Sequence, residues 1–470
     1  MEKLIGRNRE TDLLAKYLNS KRPEFVAVYG RRRVGKTFLI RQFFNDNFDF
    51  YCTGIISGSK AEQLNAFNTA LKRYGHQGQK AKNWMEAFEY LASLIKKKSS
   101  EKKRCIVFID ELPCFDTKRS GFVHALDFFW NSQGSWIDNI FFIICGSATS
   151  WMIRNVIDNH GGLHNRITHE IHLLPFTLSQ TEEYIRYHKC RWDRLSILHT
   201  YMAMGGVPYY LSLLDLNVSV AENIDNLFFA DDAELRKEYQ RLFKSLYNHP
   251  DGYLNVVSCL AKHKTGMTRS ELAKALKVQN NGHFGDILAD LVNCDFLRLY
   301  NNGLKQNNGI YQLIDFYTLF YHQFCLKRTT DDHYWRKTIN TPIANTWFGL
   351  SYKRVCIAHF RQIIKALHYD TIRTEFYSWR NPKGEPAVQI DMVIDRSDNM
   401  VTICEVKYSK AEYTLDKTEC ERIIKRADTY AAESRCRKGV EIAIITTFGL
   451  KENQYSDVAQ HTLSIDDLFQ

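Results

Sequence analysis

The stretch EFVAVYGRRRVGKTFLIRQFF, residues 24 to 44, constrains the chain more than any other. A short run of β-branched and aromatic residues leads into a glycine-bounded loop, and apolar residues at helical spacing follow. The loop Gly30-Arg31-Arg32-Arg33-Val34-Gly35-Lys36-Thr37 fits G-x-x-x-x-G-K-T. Backbone N–H groups of such a loop close around a triphosphate at the positive end of the next helix. Lys36 is placed to neutralise the β- and γ-phosphates, and the Thr37 hydroxyl to hold Mg²⁺. The expected cofactors are therefore ATP and Mg²⁺.

Two more apolar runs share this pattern. RCIVFIDELPCFD reads as a buried strand ending in Asp110-Glu111. An Asp at that strand end completes the Mg²⁺ shell of P-loop enzymes, and the adjacent Glu111 can orient or deprotonate the attacking water. NIFFIICGSATS ends at Gly146-Ser147, where Ser147 can sense the γ-phosphate. With helical patterns between them (Asn83 to Ile95 and His124 to Ser132), these runs predict a parallel sheet covered by helices. The basic run KKKSSEKKR, 96 to 104, reads as a solvated loop.

LIGRNRE (4 to 10), GRRRVGKT, FIDELP, LHNRITHEIHLLPF and GGVPYYL occur in the order found in archaeal-type P-loop ATPases. Residues 1 to 220 thus resemble that AAA+-related group, which includes the STAND signalling ATPases. The resemblance implies that Ile5 to Arg7 lie near the adenine and that Gly206-Val207-Pro208 supplies a G-x-P nucleotide contact. Arg166 takes the place of an arginine sensor or finger, with a plain surface arginine as the alternative. A finger would imply self-association through the ATPase domain.

At 470 residues the chain exceeds one core and predicts roughly two to four domains. Residues 1 to 225 form the first, with a helical lid. Residues 235 to 315 read as helix, turn, helix, a third helix, and two strands joined by a Gly/Asn turn, the order of a winged helix. Thr268 to Glu271 supply a capping box, and Phe284, Ile287, Leu288 and Leu291 a core stripe. The third helix offers His283, Asp286 and Asp290 outward, with Asn280 and Asn281 at its start. Carboxylates there would repel phosphates, so a lever or packing role is favoured over DNA reading, and Lys305 in the wing does not reverse this.

Residues 340 to 470 read as α-β-β-β-α-β, with Asp391 on the second strand and Glu405-Val406-Lys407 on the third. This order resembles the PD-(D/E)xK nuclease superfamily, giving an α/β restriction-endonuclease-like domain. Glu405 and Lys407 share a strand face by alternation, and a hairpin loop at 396 to 400 sets Asp391 opposite Glu405. Two such carboxylates can share Mg²⁺, with Lys407 activating water or stabilising the phosphorane. Lys353 stands where related nucleases often carry an acid in the first helix.

The formal charge of +10 permits DNA as a partner without requiring it. The twelve cysteines are scattered singly without a C-x-x-C pair, which fits core thiols in a reducing compartment. His160, His164, His169 and His172 lack the companions of a zinc site. No apolar stretch approaches the ~18 residues of a membrane helix, so a cytoplasmic location is expected. Two functions remain open. One is an ATP-hydrolysing switch coupled to a metal-dependent DNA nuclease, with defence against mobile DNA as the family-level context. The other is a STAND-like regulatory ATPase whose last domain only docks.

Overall fold

Five short strands form one all-parallel sheet: β1 (Glu24–Tyr29), β2 (Phe50–Thr53), β3 (Cys105–Asp110), β4 (Ile140–Gly146) and β5 (His169–His172). Their order is β2-β3-β4-β1-β5. β3 and β4 are buried along their whole length, because helices cover both faces; this is why they read as continuous apolar runs. Parallel pairing brings the carboxyl ends of β1, β3 and β4 to one edge, so the loops that follow them meet there. The computed structural model describes residues 3–157, 166–247, 249–301, 309–327, 331–381, 388–434 and 436–470.

The helix Trp84–Ser99 runs past its expected end at Ile95. Lys96, Lys97 and Lys98 therefore form its last turn rather than a loop. Positive charge is favoured at that end by the helix dipole.

In the middle of the chain, helices Asp251–Lys262, Arg269–Leu276 and Gly282–Asn293 accompany a small sheet whose first strand falls between the first two of them. Its strands are β6 (Met267–Thr268), β7 (Leu297–Tyr300) and β8 (Ile310–Leu313), in antiparallel order β6-β8-β7. Thr268 and Glu271 form the capping box, and Phe284, Ile287, Leu288 and Leu291 are buried. Lys305 lies outside the described residues, as do His160 and His164.

One expectation for this region is corrected. His283 and Asp286 are exposed, but Asp290 is buried. Its carboxylate accepts from the Tyr253 hydroxyl at 2.7 Å and pairs with Arg154 at 3.2 Å. The Ser150 hydroxyl donates to its carbonyl. Helix Gly282–Asn293 thus turns this face onto the segment that follows β4. Spacing alone could not reveal that face, since Ser150 on the facing segment is 140 residues distant.

The last region builds a second five-stranded sheet, β13-β12-β11-β10-β9. β9 (Thr374–Asn381), β10 (Val388–Arg396) and β11 (Met400–Lys407) pair antiparallel. Helix Lys417–Glu433 then carries the chain to β12 (Gly439–Thr446), parallel to β11, and β13 (His461–Leu463) adds an unforeseen edge. The first α element of this region divides into Pro342–Ala358 and Phe360–Ala366. At the break, His359 Nδ1 donates to the Val355 carbonyl, and Nε2 accepts the Leu178 N–H at 2.9 Å. Burial pulls this imidazole down to about 4, so it stays neutral and can accept.

Packing follows different boundaries from sequence order. The first sheet has one apolar core on each face. From Leu178 to Phe469, however, a single continuous core joins the lid helices, the middle helices and one face of the second sheet. His199 lies within this seam, stacked on Phe348 at 4.4 Å and bonded to the Tyr408 hydroxyl at 2.7 Å.

Candidate functional site

Lys36 opens the helix Lys36–Phe43, and Gly35 before it adopts φ 91°, a left-handed turn that glycine makes at no steric cost. The buried Lys36 ammonium donates to the carbonyls of Gly30 at 2.8 Å and Arg31 at 2.9 Å. Burial pulls its pKa below the ordinary lysine value, against the attraction of Asp110 and Glu111. The Thr37 hydroxyl donates to Asp110 at 2.8 Å. Burial, reinforced by the neighbouring Glu111, raises the Asp110 carboxyl above its usual range. A hydroxyl and a carboxylate in contact at the phosphate loop, with Asp110 in no ion pair among the described residues, fit the protein half of a Mg²⁺ site.

Glu111 sits in the left-handed region at φ 46°, uncommon for a residue with a side chain. Its carboxylate accepts the Ser147 hydroxyl at 2.7 Å and the Ser147 N–H at 3.2 Å. The end of β4 therefore fixes the aim of the residue that follows β3. Backbone strain held by such contacts clusters at working sites.

Three chain segments close around the loop. Arg7 is buried, donates to the Val34 carbonyl at 2.9 Å and lies over Phe176 at 4.6 Å. Ile5 is buried beside it in sequence. Gly206 accepts the Phe176 N–H, and a Cβ there would stand 1.9 Å from the Phe176 carbonyl oxygen, so only glycine fits. Pro208 begins the turn Pro208–Leu211, whose Tyr209 N–H reaches the Arg33 carbonyl at 3.4 Å. The segments carrying Ile5, Gly206 and Pro208 thus meet Val34, Phe176 and the loop.

The loop arginines behave unequally. Arg31 and Asp315, 2% and 4% exposed, form a buried ion pair. Burial opposes the charge on Arg31, but Asp315 more than offsets it and pushes its pKa upward. Arg33 makes a bidentate pair with buried Glu238 at 3.0 and 2.9 Å and lies 3.8 Å over Tyr209. Arg32 alone forms no ion pair among the described residues. Spacing could not reveal Asp315 or Glu238, which lie 284 and 205 residues from their partners. The one available signal was three consecutive arginines in a loop that must pack.

Arg166 is exposed and lies two residues before Thr168, which bonds Phe25 at the start of β1. The phosphate loop follows the other end of β1, roughly 15–20 Å away by strand rise. Arg166 therefore does not sense the phosphates of its own chain. This position leaves open only a finger directed at a neighbouring copy, or a surface role.

A family described as an ATPase domain predominantly from Archaea matches residues 4–214. Over these residues the chain is similar to an archaeal-type ATPase domain. An uncharacterized protein of Methanocaldococcus jannaschii is 24% identical over 337 residues, covering 68% of each chain. Among solved structures, a Walker-type ATPase of Pyrococcus abyssi is 16% identical with a TM-score of 0.47, over 68% of this chain and 96% of that one. The ORC2 protein of Aeropyrum pernix, solved in ADPNP–ADP complexes, is 13% identical with a TM-score of 0.42, over 68% and 93%.

Beyond the ATPase domain, Glu405 and Lys407 come together, but Asp391 does not join them. Pairing of β10 with β9 slips by one residue between Ile390 and Val393. This bulge turns Asp391 toward helix Pro342–Ala358, where Lys353 holds it at 2.6 Å. Glu405 and Lys407 face the other side, with Ile403, toward helix Lys417–Glu433. There Glu405 pairs with Arg426 at 2.8 Å and Lys407 at 2.9 Å, and Lys407 also with Glu419 at 2.5 Å. The expectation that Asp391 and Glu405 share a cation is corrected, because one extra residue in a strand reverses the face of its neighbours. Among the described residues, no three His, Cys, Asp or Glu side chains form a metal-holding group. Nor is any described helix long and apolar enough to cross a membrane.

Proposed function

We propose that the protein is an ATP-operated switch in which the archaeal-type ATPase domain drives a winged-helix module, with a nuclease-like fold serving as a docking module. The observation that carries this reading is the pair of ion contacts Arg31–Asp315 and Arg33–Glu238. Both start in the phosphate loop, and both end on elements beyond the ATPase domain. A loop that rearranges around a triphosphate must keep or break these contacts, so nucleotide state and module arrangement are linked.

In this reading Gly30 to Thr37 cradle the phosphates, Lys36 neutralises them, and Arg32 is free to join. Thr37 and Asp110 would hold Mg²⁺. Bound Mg²⁺ supplies charge neutralisation at the β- and γ-phosphates. Glu111 orients the attacking water, and Ser147 keeps its carboxylate aimed. Ile5, Arg7, Gly206 and Pro208 frame the base. Hydrogen–deuterium exchange tests the coupling: helices Gly282–Asn293 and Phe316–Phe320 should exchange differently with ATP and with ADP. Identical exchange in both states would remove the switch.

The docking role is favoured over DNA cleavage because each member of the expected triad is spent on an ion pair of its own. Purified protein with Mg²⁺ or Mn²⁺ should leave plasmid, linear and single-stranded DNA intact, with or without ATP. Cleavage abolished by Glu405→Ala would restore the nuclease.

A further inference from the structure

A cavity of about 1220 Å³ lies where the three modules meet. One wall comes from the ATPase domain through Arg7, Phe176 and Gly206, another from the middle module through Arg298 and Tyr300. The third comes from the last module through Arg354, Phe360 and Phe376. Of the loop Gly30 to Thr37, only Arg31 reaches it, so the phosphate cradle opens elsewhere.

Two guanidinium groups, Arg298 on the middle-module wall and Arg354 on the last-module wall, are poorly compensated. Arg354 is 8% exposed and makes no hydrogen bond or ion pair among the described residues, and its Nε is buried without a partner. Arg298 donates from Nε to Gln312 at 2.7 Å, but its buried Nη1 has no partner. Burial pulls both down to about 10, and Arg298 adds like-charge repulsion to Arg354. Asp391 is the carboxylate that acts on both, and Lys353 already occupies it. Of the other acids on the cavity wall, Asp315 pairs with Arg31, Asp295 with His172 and Glu375 with Arg373, Glu170 accepts from the Tyr29 hydroxyl, and Glu10 acts on Arg7 at the ATPase wall. Placing two cations side by side in a recess is costly unless an anion joins them.

The surroundings specify more than charge. Arg298 lies 4.4 Å over Tyr300, and Phe360 stacks on Phe376 at 4.6 Å, both rings half-buried at the cavity wall. The volume exceeds the roughly 300–1,000 Å³ of ordinary small-molecule sites. A recess walled by three modules suits a small ligand better than a nucleic-acid backbone, which needs an open track.

We propose that the side of this cavity formed by the middle and last modules binds a phosphate-bearing small molecule of nucleotide size, away from the phosphate loop and from the Arg7 and Gly206 wall that frames the base of ATP. Its phosphate meets Arg298 and Arg354, and its ring packs against Phe360 and Phe376. Because the middle and last modules both contribute walls there, occupancy fixes their arrangement and makes the ligand a second input to the switch.

Titration calorimetry on the full-length protein, with AMP as the probe, tests this. AMP should bind wild type and Lys36→Ala alike, since the variant disables only the phosphate loop. Arg354→Gln and Arg298→Gln should each weaken AMP by about tenfold or more, the loss of one charge-assisted contact. Retained ATP turnover in both variants would show that they are folded. No AMP binding by wild type, equal binding by both arginine variants, or loss in Lys36→Ala would each overturn the proposal. So would a DNA duplex that binds through the same arginines where AMP does not. Failure of ATP hydrolysis in wild type would strike the ATPase reading and leave the AMP result standing.

Discussion

Glu111→Gln is expected to lower the turnover of ATP by about 10²- to 10⁴-fold, the usual share of a positioned acid–base group. ATP should still bind if Glu111 acts, as proposed, on the attacking water rather than on the bound triphosphate. Lys36→Ala should fail one step earlier, at binding, since its ammonium meets phosphate in the ground state. Single-turnover hydrolysis beside equilibrium nucleotide binding separates the two. Unchanged single-turnover rates in Glu111→Gln would move the catalytic role to another group. Ser147 would be the first residue to re-examine, as it holds both oxygens of that carboxylate.

Asp315→Ala should destabilise the protein by about 3–5 kcal/mol, as expected when one partner of a buried ion pair is removed. Arg31 would remain with its guanidinium buried, and its Nε and Nη2 already lack partners. The double replacement Arg31→Met, Asp315→Leu should recover most of the loss, because apolar groups of similar size tolerate that site. Urea unfolding of the single and double variants measures both. If Asp315→Ala unfolds at the wild-type midpoint, the contact does not hold the modules together.

Sequence made the ATPase domain legible because its determinants are local. A glycine-framed loop between strand and helix, and an acidic pair at the end of a buried strand, each lie within about ten residues. The capping box at Thr268 and the stripe from Phe284 to Leu291 were readable for the same reason: helix periodicity is a short-range signal. What stayed hidden depends on distant partners or on one residue of register. Asp290 looked solvent-facing until Arg154 and Tyr253 closed on it. Alternation in β10 would have set Asp391 beside Glu405, but the bulge after Ile390 turned it to Lys353. Lys353 marks a missing acid in the sequence, but spacing cannot show the ion pair it forms with Asp391.

The continuous core from the lid helices to Phe469 also limits how such a chain can diversify. A module bounded by a polar linker can be exchanged between proteins with little loss, since it carries its own apolar interior. Here Leu198, Leu288, Trp347 and Met392 share one interior although they come from lid, middle and last regions. Exchange of any one region would leave its neighbours with an uncovered apolar face. The parts after residue 178 are therefore expected to be inherited together, with change in the last fold confined to its outer face and loops.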